Sequence, residues 1–258
     1  FKEAGHILGS SMLEIDVFEN GENQKVIFSG DIGQWDKPII RDPTMFDQAD
    51  YVVMESTYGD RNHKDYGDCE DQLADVVNRT IERGGNVIIP TFAVERSQEL
   101  IYHLSRLNQY GRMPQVPVFL DSPMAVDVTR VFQQHKDCFD QDAWDMVIEG
   151  KSILDFPGMQ LCRSRQESKM INECNQPCII MSTSGMCNAG RIKYHLRSNI
   201  SDARNSIVFV GYQAHGTLGR GRATVVAGQA EGGLRRRRRW RWCRVRVGTG
   251  TAPVVVAV

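Results

Sequence analysis

The sequence predicts an α/β protein built around a mainly parallel, Rossmann-like sheet. Two observations carry this. An apolar run, a small polar loop and an amphipathic helical pattern recur in that order three times, and the apolar runs are continuous rather than alternating. Continuous runs mark strands covered on both faces, and the helical patterns between them supply the crossovers that parallel strands need. The first strand is Asn86 to Pro90, followed by the loop Thr91 to Arg96 and a helix with Leu100, Ile101, Leu104 and Leu107 on one face. The second is Val116 to Leu120, with the loop Asp121 to Ala125 and a helix through Val128 to Phe132. The third is Cys178 to Met181, with the loop Ser182 to Met186 and a helix near Ile192 to Leu196. A fourth run, Ile207 to Val210, leads into Gly211-Tyr212-Gln213. Ligands of such sheets bind at the carboxyl ends of the strands. The small and polar loop residues all lie there.

Composition sets the outer limits. Of 258 residues, 41% are hydrophobic and 24% charged, the profile of a soluble globular protein. No apolar run reaches the roughly 18 residues that span a bilayer, and no basic-then-apolar leader opens the chain. The absence of an initiator Met is the mark expected of a truncated N-terminus. Seven cysteines, without a CxxC pair, read as reduced thiols of a cytoplasmic protein. The net charge of −1 hides an asymmetry: nine of the 31 basic residues but only one of the 32 acidic ones lie in residues 221–258. The chain from Phe1 to Arg220 therefore holds 22 basic and 31 acidic groups, a formal charge of −9. Such a body binds nucleic acid only through a local basic groove or metal ions. Residues 221–258 are an atypical Arg/Gly/Val-rich tail with Arg235 to Arg239 in one block and no Ser, Lys, Ile or Asp. It reads either as a basic arm or as GC-rich coding sequence translated out of frame. Its composition favours the second, and no folded structure is expected of it.

The stretch before Asp60 holds three clusters: Ala4-Gly5-His6-Ile7-Leu8-Gly9-Ser10, Phe28-Ser29-Gly30-Asp31-Ile32-Gly33 after the strand Lys25 to Phe28, and Glu55-Ser56-Thr57-Tyr58-Gly59 after the strand Asp50 to Met54. Each sets one imidazole or carboxylate among small residues at a strand end. A metal site needs that arrangement, because small neighbours let backbone approach while rigid strands fix the ligand. Singly, a lone histidine is more often structural, and Gly-Asp after a strand is usually a turn.

In this order the clusters resemble the metallo-β-lactamase-fold hydrolases of the β-CASP branch, over residues 1–220. Phe92 to Glu99, Asp121 to Ala125, Ser184-Gly185-Met186 and Gly211 to Arg220 resemble the later signatures of that family. The resemblance implies a partial αββα metallo-β-lactamase sandwich in residues 1–59 and a β-CASP domain in residues 60–220. It further implies hydrolysis of RNA phosphodiesters with two Zn2+ ions about 4 Å apart that activate water. His6 would be a metal ligand, Asp31 would bridge the metals and orient the nucleophile, and Glu55 would position a downstream histidine that protonates the leaving oxygen. His63, at the rim, and Arg96, Ser122, Ser184, Gly185 and Arg191 would lie against the substrate, the arginines and hydroxyls cradling phosphates. Helix capping is the competing role for Ser122 and Ser184. Ala189 stands where the family usually has glycine, so a left-handed conformation there would carry strain and weaken the case for Arg191. His103 and His195 read as surface or packing residues, His135 as exposed, and His215 as a variable loop position.

The family's HxHxDH motif occurs nowhere in the chain, and no histidine follows Arg220. A catalytic zinc needs about three protein ligands, so this chain alone is expected to be inactive while the intact parent cuts RNA. A catalytically silent RNA-binding or scaffold subunit and a DNA-directed nuclease are the alternatives. A homo-oligomer or a processing-complex partner is compatible with the sequence; a membrane is not.

Overall fold

The computed structural model describes residues 1–60, 69–220 and 254–256. Along the chain run β1 (Lys2–Glu3), β2 (Ser11–Glu19), β3 (Glu22–Phe28), β4 (Tyr51–Val53), α1 (Cys69–Glu82), β5 (Val87–Pro90), α2 (Arg96–Gln109), β6 (Val118–Asp121) and α3 (Pro123–Gln134). After a 3₁₀ turn (Lys136–Cys138) come α4 (Gln141–Ile148), β7 (Met159–Cys162), α5 (Arg165–Ile171), β8 (Ile179–Ser182), α6 (Ile192–Asn199), β9 (Ser206–Phe209) and β10 (Val254–Val256). They form two compact units: Phe1–Gly67 with Val131–Ile153, and Asp68–Arg130 with Leu154–Val258.

The first unit carries a four-stranded sheet in the order β1-β2-β3-β4. β2 and β3 pair antiparallel from Leu13↔Phe28 to Glu19↔Glu22, and β4 adds parallel to β3. The β2–β3 turn is Asn20-Gly21, with φ of 53° and 84°. Two consecutive positive φ values match the right-handed twist of the strands they join, and Asn-Gly tolerates them best. Met12 and Ile27 are buried, whereas Ile15, Val17, Phe18 and all of β4 are exposed.

Val131–Ile153 folds into this unit although the whole segment Asp68–Arg130 intervenes in the chain. Ile40 forms an antiparallel bridge with Phe139, and the Asp140 N–H donates to the Ile39 carbonyl at 2.8 Å. Arg41 reaches the carbonyls of Asp137 and Phe139. Asp140 also caps α4, accepting from the Ala143 N–H at 2.7 Å. The division therefore differs from a single boundary after Gly59: local patterning cannot show that a helix so far downstream docks on the Ile39-Ile40 segment.

The second unit is a six-stranded sheet in the order β10-β9-β5-β8-β6-β7, parallel throughout. Every residue of β5, β6, β8 and β9 is buried. That is the reason these four read as unbroken apolar runs. β7 is more exposed and lacked that signature. The mixed α/β class with a parallel sheet is thus as expected. Val254–Val256 pairs with β9 in register Val254↔Ile207; the rest of the arginine-rich tail lies outside the described residues.

Candidate functional site

In the first unit, glycines bring two loops into backbone contact. A Cβ at Gly33 would lie 1.6 Å from the Gly5 carbonyl oxygen, and the Gly33 N–H donates to the Ala4 carbonyl at 2.8 Å. Only glycine fits there. The Ser10 hydroxyl accepts from the N–H groups of His6 and Ile7, both at 3.2 Å, and so shapes the turn that presents the imidazole. As a result His6 Nε2 stands 3.9 Å from Asp31 Oδ2, with the two side chains 42% and 72% exposed.

Glu55 follows β4 and is tied to the same loop. Its Oε1 accepts from the Ile32 N–H at 2.6 Å, and its own N–H donates to Ser29 Oγ at 3.1 Å. Burial pushes the Glu55 carboxyl up, but hydrogen bonds from Thr57 and from the Ile32 and Thr57 backbone outweigh it, with His6 adding a smaller pull. The carboxyl is held below the ordinary carboxylate range. An imidazole and a carboxylate from separate segments therefore converge, and a second carboxylate is locked beside them. A 3.9 Å separation is too long for a hydrogen bond. Neighbouring ligand atoms on a tetrahedral zinc with bonds of about 2.0–2.1 Å lie roughly 3.3 Å apart, so the two side chains stand somewhat wider than ligands of one such ion. Their nitrogen and oxygen donors are of the kind that suits a divalent ion; among the described residues no group of three His, Cys, Asp or Glu side chains gathers at one point.

In the second unit the remaining candidates lie at the carboxyl ends of the strands. Arg96 opens α2, and its guanidinium pairs with Glu99 at 2.7 Å while staying 41% exposed. Its N–H donates to the Val94 carbonyl at 2.9 Å across Glu95, which sits at φ 66°, ψ −66°. This is a γ-turn of the positive-φ kind, a strained conformation for a residue with a side chain. Ser184 exchanges hydrogen bonds with Ala189, and Gly185 is packed under the ring of Phe92.

Two of the expected substrate contacts have their side chains turned inward. Ser122 is buried, its hydroxyl accepting from the Ala125 N–H at 3.2 Å and from Thr183 Oγ1 at 3.0 Å. It acts as a cap for α3. Arg191 donates to Asp121 Oδ1 at 2.7 Å, to the Cys162 carbonyl at 3.4 Å and to the Arg163 carbonyl at 2.7 Å. Its guanidinium serves the interior. Ala189 is not strained: the positive φ values of this loop fall on Cys187 (63°) and Gly190 (80°). His63 lies outside the described residues.

Residues 97–221 match the Beta-Casp domain. The chain belongs to the β-CASP family of metallo-β-lactamase-fold proteins. Among curated relatives, ribonuclease TTHA0252 of Thermus thermophilus is 37% identical over 219 residues, which cover 85% of this chain and 49% of that protein. Transcription termination factor FttA of Methanosarcina mazei is 36% identical over 225 residues, 85% of this chain and 35% of the relative. An RNase J-like protein of Methanocaldococcus jannaschii is 33% identical over 225 residues, 85% and 50% respectively. The chain thus spans half or less of the length of these relatives.

The β-CASP unit also contains a cluster that sequence reasoning missed. Asp121, at the end of β6, is fully buried. Its Oδ2 accepts from Ser168 Oγ and from His195 Nε2, each at 2.6 Å, and its Oδ1 from Arg191. His195, also fully buried, contacts Asn172 Oδ1 through Nδ1 at 3.2 Å. Burial pushes the Asp121 carboxyl up, yet the bonds from His195, Ser168 and Arg191 prevail and hold it below the usual range. The available signal was faint: Arg191 and His195 stand at i and i+4, so they share a helix face, and Asp121 ends a buried strand.

Proposed function

We propose that this chain is part of a zinc-dependent hydrolase that cleaves RNA phosphodiester bonds in RNA processing or turnover. The observation that carries this reading is the convergence of His6 and Asp31 to 3.9 Å beside the locked Glu55. It is supported by relatives named as a ribonuclease and an RNase J-like protein. His6, as a neutral imidazole, and Asp31 would be metal ligands, and their nitrogen and oxygen donors suit zinc. Bound zinc lowers the pKa of water from about 15.7 to about 7 and so supplies a nucleophile at neutral pH. Asp31, exposed at its carboxylate, would orient that water; Glu55, ionised at neutral pH, would hold a proton-donating partner in place. Arg96 and the Ser184-Gly185 turn would receive the backbone phosphates, a planar fork of donors from the first and hydroxyl and N–H groups from the second. The setting we propose is the cytoplasm.

Two ligands do not hold a pair of ions, so the polypeptide by itself is without hydrolytic activity on this reading. The experiment is direct. The purified chain and its Asp31→Ala variant are incubated with labelled RNA and Zn2+. Neither should cut; metal-dependent cleavage by the parent that vanishes in the variant overturns the inactivity, and weaker zinc binding in the variant than in the parent supports the ligand assignment. Equal zinc binding by both removes Asp31 from the metal site.

A further inference from the structure

Phe92 sits in the loop after β5 with 39% of its surface exposed, an unusual position for a phenylalanine between buried Thr91 and buried Ser97. Its ring lies on bare backbone. A Cβ at Gly185 would come within 2.7 Å of ring atoms Cδ2 and Cε2, and one at Gly211 within 3.8 Å of Cε2. Those two glycines belong to different loops, and one side chain ties them together. Buried Gln213 donates through Nε2 to the Gly185 carbonyl at 3.0 Å and to the Gly211 carbonyl at 3.1 Å. The Phe92 backbone is pinned in turn: Ser97 Oγ donates to its carbonyl at 2.6 Å. The ring is thus held from below by a stapled floor and left open above. Exposed Tyr212 adjoins the floor in sequence, and the half-exposed Arg96 and the Ser184 turn lie on the same strand-end edge of the sheet.

A buried aromatic needs no glycine floor, and a solvent-facing one without a task has no need of being pinned at this many points. We propose that Phe92 is a stacking platform for a nucleobase of the bound RNA strand, with Gly185, Gly211 and Gln213 as its positioning residues. Single-stranded RNA is held by base–aromatic stacking beside phosphate contacts, and each such stack contributes on the order of tenfold or more to affinity. The proposal deepens the RNA reading above and rests on it.

The test uses the full chain, with chelator present so that nothing is cut. Binding of a short labelled RNA is compared by fluorescence anisotropy with binding of an abasic ribose-phosphate oligomer of equal length. The parent should prefer the RNA about tenfold. Phe92→Leu should abolish that preference while leaving abasic binding unchanged, and Phe92→Trp should keep it. Gly185→Ala, whose methyl would displace the ring, should likewise lose the preference for the base-bearing strand. Equal binding of both oligomers by the parent, or a Phe92→Leu variant weakened alike for both, overturns the platform while the RNA reading stands. Failure of the parent to bind either oligomer overturns the RNA reading itself. Rescue by Trp separates loss of stacking from loss of fold.

Discussion

Replacing Asp121 by Asn tests whether the buried carboxylate organises the β-CASP sheet. The substitution keeps the shape and removes the charge. Three donors, from Ser168, His195 and Arg191, converge on two oxygens, and Asn offers only one acceptor. Its amide must turn N–H groups toward at least one donor, most easily Arg191. That forfeits a charge-assisted hydrogen bond, about 1.5–3 kcal/mol. It also leaves the largely buried Arg191 guanidinium without its counter-charge, and breaking a buried pair costs roughly 3–5 kcal/mol. The internal contacts of Arg191 with two backbone carbonyls soften the loss, so about 3 kcal/mol is expected. Urea unfolding followed by circular dichroism should show the midpoint falling at unchanged slope. The pH dependence gives a second readout. A carboxyl whose folded-state pKa is depressed contributes stability that is fully present above its unfolded value of about 3.9 and lost as pH falls through the lower folded value. The parent should therefore lose stability in that acid window, and Asp121→Asn should show a flatter acid limb. A change below about 1 kcal/mol at neutral pH, with the acid limb intact, would refute the reasoning.

Gly33→Ala should separate the His6 and Asp31 loops, because the methyl meets Gly5 backbone that cannot rotate away. A loss of about 1–3 kcal/mol in stability and roughly tenfold or more in zinc affinity is expected by thermal melting and calorimetric titration, and an unchanged affinity would mean that the loops adjust freely. Ser122→Ala should cost about 1 kcal/mol as a lost cap yet leave RNA affinity unaltered, since the hydroxyl is buried; a selective loss of binding would restore its substrate role. The thiols of Cys178 and Cys187 are pushed up to about 12, and that of Cys162 to about 11, in each case chiefly by burial. Mass spectrometry after brief native iodoacetamide treatment at neutral pH should find these three unmodified and exposed Cys69 alkylated.

The four buried central strands were legible because a strand covered on both faces leaves an unbroken apolar run, and three of their loops placed the strand-end edge correctly. β2 and β7 were not, since an exposed strand carries polar residues that no simple pattern flags. His6, Asp31 and Glu55 converge because the glycines around them permit backbone contact, a requirement visible in the motifs. Direction was the harder matter. Arg191 faces the interior because of Asp121, whose partners come from α5 and α6, well beyond its own strand and loop, and Ser122 meets Thr183 from the loop after β8. Such a network has no local signature. The floor under Phe92 was hidden for the same reason: glycines in two distant loops meet only through Gln213.

The detour of Val131–Ile153 has a consequence for biogenesis. The polypeptide passes from one unit to the other three times, so no single cut yields two whole pieces. At about 5–20 residues per second, roughly 4–16 s of translation separate the end of the first segment from the helix that completes its unit. During that wait the Ile39-Ile40 strip has no cover from its late partner.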